Sequence, residues 1–536
     1  MKHLPRRFDR FSRDSARDTS GPPISATQGA PGQESSTTDQ PGTGSADSGR
    51  PRTYRTSQLV TLLLGPALFV LTMLVVRVDG LETPAVAVLG ATLWMGTWWI
   101  GECVPLPVTA LIPILIFPTV GALETGEAFS SYGDNIIFLF MGGFLIAIAL
   151  EKWGLHRRIA LSIVRVLGTS VQRIILGFIL ATGVVSIWIT NTATAMMMIP
   201  MGTAIVAQVR DMQRESSRAS EEDVAKFEKS LIYGIGYSAT IAGVGTLIGG
   251  TTIPVMVAQA EALVGQTVSF AQYALFGIPF VLCFMLLLWV YLTRIAFRTK
   301  MRTLPAGATV INQELKAMGP MTKPEKRIAA IGLLTALLWM TRPWLIDPFV
   351  EGISDGMIAI LAAVLLFLVP AGDAEKTRVL EWRDTSRLPW DILLLFGGGL
   401  ALAAAFTSTG LSEWVGDKFS LLGAAPFLVI VLVTAAILVY FTEFTSTTAT
   451  ALVFVPLVGA GAMSIGQDAV ILMLTAALAV NCAFMLPVAT PPNAIMYSTR
   501  VVTASGLLKT GFWLSLIGIG LITVFVTVWA PFVFSL

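Results

Sequence analysis

The chain has little of what a water-soluble protein needs. Only 13% of its 536 residues are charged, while 54% are hydrophobic and the mean hydropathy is +0.73. A soluble domain carries roughly 25% charged residues, so there are too few charges here to cover a wet surface. Lipid is the main solvent, and the sequence reads as an integral membrane protein. Histidine is nearly missing. His3 lies in a polar tail and His156 sits beside Arg157 and Arg158, which reads as two solvated loop residues and leaves no histidine metal site or proton relay. Cys103, Cys283 and Cys482 are odd in number and lie in or beside apolar segments, so they form no disulfide framework. A dominant charge of either sign is also missing: 36 Lys and Arg against 34 Asp and Glu leave a formal +2, which argues against a nucleic-acid partner.

What is present begins with a tail. Residues 1–56 are rich in Ser, Thr, Gly, Pro, Asp and Arg, a composition that predicts disorder. The first apolar run, 59–76, is long enough to span and stay, so a cleaved secretory form is not expected. Further apolar segments follow at about 83–101, 104–123, 135–150, 172–209, 229–264, 271–293, 328–345, 356–371, 389–407, 424–463, 468–498 and 511–535.

Segments 172–209 and 424–463 are each about twice the ~20 residues that a crossing helix needs, and both are broken by polar residues. Segment 172–209 carries a polar break at Thr190, Asn191, Thr192 and Thr194, and segment 424–463 carries one at Thr445, Ser446, Thr447, Thr448 and Thr450. Each reads as two spans or as one hairpin that enters and leaves by the same face. Cytoplasmic loops are enriched in Lys and Arg, and this settles the expectation. Both flanks of the first break are basic, with Lys152, Arg157, Arg158, Arg165 and Arg173 before it and Arg210, Arg214, Arg218, Lys226 and Lys229 after it. The flanks of the second hold only Lys418. Two re-entrant hairpins approaching from opposite faces are therefore expected. Loops 294–327, with eight Lys or Arg, and 376–387 are then inside with the N-terminal tail, and the C-terminus is outside.

The two halves are related. Residues 136–155 match residues 392–411 at nine of twenty positions, an offset of 256. The same offset carries the Thr190–Ala195 run onto Ser446–Ala451, placing the two polar breaks in register. With opposite orientations this is an inverted-topology repeat, the arrangement of secondary transporters. The expected division is a tail over 1–56, a first repeat over 57–300, a cytoplasmic linker over 301–325 and a second repeat over 326–536.

Each half also has a Gly- or Pro-rich interruption. Residues 243–254 (GVGTLIGGTTIP) interrupt segment 229–264, and residues 486–493 (LPVATPPN) interrupt segment 468–498. Unwound backbone at membrane depth is tolerated only in protein or against a wet cavity. There, carbonyls coordinate cations and helix N-termini face anions. The side chains are hydroxyls and one carboxamide, with no Lys or Arg, so an anion would be held by neutral donors and helix ends while oxygens take a hard cation such as Na+. Glu443, beside a tip, reads as a hydrogen-bond partner of the hairpin backbone or as a mark of an ion path. Glu102 and Asp391 read as interfacial. Trp94, Trp98, Trp99, Trp390 and Trp513 read as an interface belt or scaffold packing.

At residues 484–495 (FMLPVATPPNAI) and 442–446 (TEFTS) the sequence resembles the divalent anion:sodium symporters, carriers of dicarboxylates, citrate or sulfate, over about residues 58–536. The resemblance implies an all-α membrane protein of about 11 transmembrane helices plus two re-entrant hairpins. It further implies a homodimer in which a transport domain moves against a scaffold as an elevator. It assigns a first sodium site to Ser186, Thr190, Asn191 and the backbone at Gly250, and a second to Thr442, the backbone of Thr445, Thr447 and the backbone at Ala489. Substrate carboxylates would meet Thr190, Asn191, Thr192, Thr251, Ser446, Thr447, Thr448, Thr490 and Pro491. The chain departs from the family's paired Ser-Asn-Thr tips at Thr190, which keeps the hydroxyl, and at Thr447, which removes a carboxamide. Its first unwound loop reads Gly250-Thr251-Thr252-Ile253 where the family often has Pro-Pro-Asn. The expected function is sodium-coupled import of C4-dicarboxylates such as succinate, fumarate and malate across a bacterial inner membrane. Citrate or sulfate symport, or sodium-independent dicarboxylate exchange, is the alternative. A channel and a membrane-embedded enzyme are the competing classes, and the second lacks a nucleophile or acid/base set.

Overall fold

Apolar segments in lipid must satisfy every backbone group internally, which leaves helices as the economical solution for this composition. The computed structural model describes residues 56–76, 81–168, 170–216, 220–301, 305–350, 352–372, 377–419 and 425–534, and among these it contains helices and no β-strand. The disordered tail expected at the N-terminus lies, save Thr56, outside the described residues. Tyr54–Leu536 forms a single unit.

Eight helices are long and apolar enough to cross a membrane, and six more apolar helices of 10–17 residues accompany them. Hydroxyls inside these helices bond back one turn: Thr72 to Leu68 O at 2.7 Å, Thr335 to Ile331 O at 2.8 Å and Thr523 to Ile519 O at 2.8 Å. Such a bond removes the cost of a bare hydroxyl in hydrocarbon.

Both long anomalous segments are helix–turn–helix hairpins. The first is Val171–Ser186 followed by Asn191–Ser216, and the second is Phe427–Thr442 followed by Thr447–Ser464. The first arm of each hairpin and the start of each second arm coincide at an offset of 256 residues. The offset read from the sequence thus holds in the helix boundaries as well. The polar residues lie partly in the turn and partly in the first turn of the second arm, where Ser, Thr and Asn favour helix starts.

Each hairpin packs against an interrupted helix of its own half, and the halves interlock. The first interrupted helix is Glu221–Ala242, then residues 243–251, then Thr252–Val264. The second is Ala469–Ala479, then residues 480–490, then Pro491–Ser498. Thr252–Val264 packs on Thr447–Ser464 of the other hairpin, and Pro491–Ser498 packs on Asn191–Ser216.

Three local expectations change. Residues 104–123 form two short helices, Leu106–Thr109 and Ile112–Thr119, because Pro105, Pro107 and Pro113 limit continuous helix there. His156 is in no loop. It lies on the helix Leu155–Leu167 and its Nδ1 is 2.9 Å from Leu150 O. The basic stretch 294–327 contains a helix, Pro305–Ala317, that packs on Leu155–Leu167. Next to it, Arg158 bonds Glu325 at 2.8 Å and Gly319 O at 2.9 Å.

Candidate functional site

The second interruption begins earlier than the Pro-rich run predicts. Residues 480–485 are apolar apart from Asn481 and contain neither Gly nor Pro, yet they are not helical. Side chains replace the lost ladder bonds, which is what a buried unwound backbone demands. Ser515 Oγ donates to Cys482 O at 3.0 Å, Tyr237 Oη to Phe484 O at 3.0 Å, and Asn493 Nδ2 to Ala483 O and Leu486 O at 3.2 and 3.0 Å. Glu443, fully buried, accepts from Met485 N and Leu486 N, both at 2.9 Å. Its partners are therefore in the unwound segment and not in the hairpin backbone.

The first interruption is held in the same manner. Tyr273 Oη donates to Val244 O at 2.6 Å and Thr246 Oγ1 to Ile187 O at 2.6 Å. Ser186, at the end of the first hairpin arm, lies 2.9 Å from Ala239 O and 3.0 Å from Asn191 Oδ1, its one hydroxyl proton shared between the two acceptors. Gly243 lets the Asn191 carboxamide approach. A β-carbon there would lie 2.6 Å from Asn191 Nδ2, closer than real contacts allow.

These supports shape a cavity of about 330 Å³ between the halves. From the first half it is lined by Thr190, Asn191, Thr192, Gly250 and Thr251, and from the second by Thr447, Thr448, Thr490 and Pro491. Both tips and both interruptions meet there. Thr251 Oγ1 lies 2.8 Å from Thr448 Oγ1, a hydrogen bond joining the first interruption to the second tip. Asn481 Nδ2 donates to Thr252 Oγ1, a second bond across the halves.

The electrostatics follow from where helices start. The helices beginning at Asn191, Thr252, Thr447 and Pro491 all present their first residues or caps to the cavity. Thr490 caps the last by accepting from Asn493 N at 3.4 Å. A helix N-terminus carries partial positive charge, worth roughly 0.3–2 kcal/mol to an anion, and the first three also offer free amides; the last offers none, because Pro491 and Pro492 have no N–H and the Asn493 and Ala494 amides bond Thr490. No Lys, Arg or His lines the cavity. The helices ending at Ser186, Ala242, Thr442 and Ala479 supply the opposite ends, whose carbonyls suit a hard cation.

Five of the residues assigned by resemblance lie elsewhere. Thr445, Ser446 and Ala489 line an adjoining opening of about 490 Å³, together with Thr447, Thr448 and Pro491. Ser186 and Thr442 are fully buried behind the tips, Thr442 Oγ1 bonding Leu438 O at 2.7 Å. Thr445 Oγ1 lies 2.7 Å from Thr450 Oγ1.

Asp391, expected at an interface, lines the cavity, because Trp390–Ser408 packs against Thr252–Val264 and brings its first turn there. Thr240 and Asn481 line it too and were not read from the sequence. Thr240 Oγ1 is buried without a hydrogen-bond partner. The only signal that could have found it is its place three residues before Gly243, the start of the interruption. The remaining tryptophans divide: Trp99 is buried and donates to Leu106 O at 3.2 Å, whereas Trp390 and Trp513 are exposed.

Residues 56–536 match the family described as the sodium:sulfate symporter transmembrane region. The chain is similar to the sodium-dependent dicarboxylate transporter SdcS of Staphylococcus saprophyticus, 42% identical over 483 residues, which are 90% of this chain and 93% of that protein. It is also 42% identical over 468 residues to the protein of the same name from Staphylococcus aureus strain MRSA252, covering 87% and 89% of the two chains. Among solved structures, the YdaH transporter of Alcanivorax borkumensis has a similar fold, with a TM-score of 0.52 at 13% identity over 89% of this chain and 97% of that one.

Proposed function

Because the chain belongs to the sodium:sulfate symporter family, the divalent anion:sodium symporters, we propose that it is a secondary active importer of C4-dicarboxylates driven by sodium. It is a multi-pass membrane transporter and not an enzyme. The observation that carries the substrate reading is the convergence of four helix N-termini and a ring of hydroxyls on one cavity without a basic side chain. Such a site binds negative charge through fixed dipoles, so a dianion needs co-bound cations to offset the remainder. At about 330 Å³ the cavity is at the small end of small-molecule pockets, which favours a four-carbon dianion.

In this reading Thr190, Asn191, Thr192 and Thr251 take one carboxylate. Thr447, Thr448 and Thr490 take the other, against the Pro491 ring, with Ser446 at the margin. Ser186, Thr190, Asn191 and the Gly250 carbonyl hold one sodium. Thr442, the Thr445 carbonyl, Thr447 and the Ala489 carbonyl hold a second. Each cation sits beside the anion it compensates, which makes binding of either favour the other and couples the two gradients.

We read the helices as eleven spans plus two re-entrant hairpins. Leu106–Thr119 and each interrupted helix count as one span apiece, giving two repeats of opposite orientation with the N-terminus in the cytoplasm. The support is the shared 256-residue register and the basic flanks of the first hairpin alone. Movement of both hairpins as one body against a scaffold, in a homodimer of an inner membrane, completes the proposal. The interlocking of each hairpin with the other half's interrupted helix supports their moving together.

The test is uptake of radiolabelled succinate into proteoliposomes, with an inward sodium gradient or with choline in its place, against unlabelled succinate, glutarate, citrate and sulfate. Uptake that requires sodium and is displaced best by succinate is the expected result. Equal uptake in choline would indicate an exchanger, and stronger displacement by citrate or sulfate would move the substrate to the other branch of the family.

A further inference from the structure

A second cavity, of about 630 Å³, lies outside the transport site. It is walled by the helices Glu221–Ala242, Phe270–Val290 with its continuation to Ala296, and Ala504–Val524. Two of these walls belong to helices long and apolar enough to span a membrane. Its outer rim is apolar and open, with Ile295 71% and Trp513 55% exposed, a surface that faces hydrocarbon in a spanning helix. Inside, Tyr233 stacks on Phe297 at 5.3 Å between ring centres, and Tyr291 Oη donates to Thr510 O at 3.1 Å.

Lys229 and Lys509 also line this trough, both exposed. Among the described residues neither has an ion-pair partner, and no Asp or Glu lines the cavity. Glu228, next to Lys229 in the chain, is paired with Arg210 instead. Two unpaired ammonium groups next to an apolar trough opening sideways need a ligand with a compact negative head and long apolar tails. A free inorganic anion would leave the aromatic and aliphatic wall uncovered.

We propose that this trough binds an anionic glycerophospholipid, its phosphate between Lys229 and Lys509 and its chains along Ile295 and Trp513. In the proposed orientation this end of the three helices faces the cytoplasm, the leaflet in which anionic headgroups attract juxtamembrane lysines at about 1 kcal/mol each. The lipid would clasp two helices that support the second interruption: Tyr237, on Glu221–Ala242, and Ser515, on Ala504–Val524, both hold the backbone of residues 480–490. It therefore acts as a structural ligand of the moving part and not as cargo.

The test is native mass spectrometry of the full chain in detergent, titrated with phosphatidylglycerol or phosphatidylcholine. Phosphatidylglycerol should occupy one retained site with about tenfold or greater preference. Lys229→Gln combined with Lys509→Gln should abolish that preference, and the double arginine substitution should keep it. Inorganic phosphate should not displace the lipid, and succinate affinity in phosphatidylcholine should be unchanged in the glutamine variant. Equal retention of both lipids by the unmodified chain would overturn the proposal without need of any variant. So would an unaltered preference in a monodisperse glutamine variant, or displacement by phosphate, which would mark a site for soluble anions.

Discussion

Replacing Gly243 by alanine puts a methyl group into the Asn191 carboxamide. The new carbon would collide first with Oδ1 and would stand 2.6 Å from Nδ2 and 2.9 Å from Cγ, against about 3.4 Å for the start of ordinary contact, so the amide must retreat by about 1 Å. Asn191 has little room to do so, since it opens a helix and its Oδ1 accepts from Ser186 Oγ at 3.0 Å. Overpacking of this kind costs about 1–3 kcal/mol. If the strain falls on the first sodium site, that is about a 5- to 150-fold loss of cation affinity. The assay is the sodium concentration giving half-maximal succinate uptake, compared with Gly332→Ala, where an added methyl meets nothing within 4 Å. Gly243→Ala should shift that concentration upward while Gly332→Ala leaves it in place. An unshifted sodium dependence at normal protein level would refute the assignment of Asn191 to the cation site.

Four further outcomes follow from the same geometry. Asn191→Ala should abolish uptake with protein level unchanged, because both the cavity wall and the Ser186 contact depend on its carboxamide. Glu443→Ala leaves the buried Met485 amide unpaired at about 1–3 kcal/mol and the half-buried Leu486 amide unpaired at less, so melting of the purified protein should fall by several degrees, with Glu443→Gln losing less. Thr251→Val and Thr448→Val should each weaken succinate binding, and the double variant should do less than the two effects combined, since both remove one 2.8 Å bond. Thr447→Asn, which returns a carboxamide to the second tip, should lower the sodium requirement in uptake curves measured against choline.

The sequence shows its plan where periodicity and composition change together. The hairpin turns announce themselves because Thr190–Thr194 and Ser446–Thr450 are polar in the middle of apolar runs, and the 256-residue register survives because both tips must be built alike. The first interruption is visible through its glycines. The second is only half visible, since residues 480–485 are held open by Glu443, Asn493, Tyr237 and Ser515, partners up to 247 positions away in the chain. Local propensity carries no trace of such bonds. Thr240 and Asp391 were hidden for a related reason: each belongs to a helix whose neighbour, and not its own sequence, turns it toward the cavity, while Asn481 lies in the unwound segment, where its bond to Thr252 of the other half holds it. Ser446 illustrates the converse, a motif residue that the geometry places in the adjoining opening.

The central claim is that two hairpins inserted from opposite faces bring their tips to one anion cavity. Its most direct test is labelling of single cysteines at Arg173 and Asp211, the shoulders of the first hairpin, and at Pro426 and Ser464, those of the second. The background would have Cys103, Cys283 and Cys482 replaced. A membrane-impermeant maleimide should reach positions 173 and 211 only from the cytoplasm and positions 426 and 464 only from outside. Labelling of the two shoulders of either hairpin from opposite sides would make that hairpin a pair of spans and contradict the account.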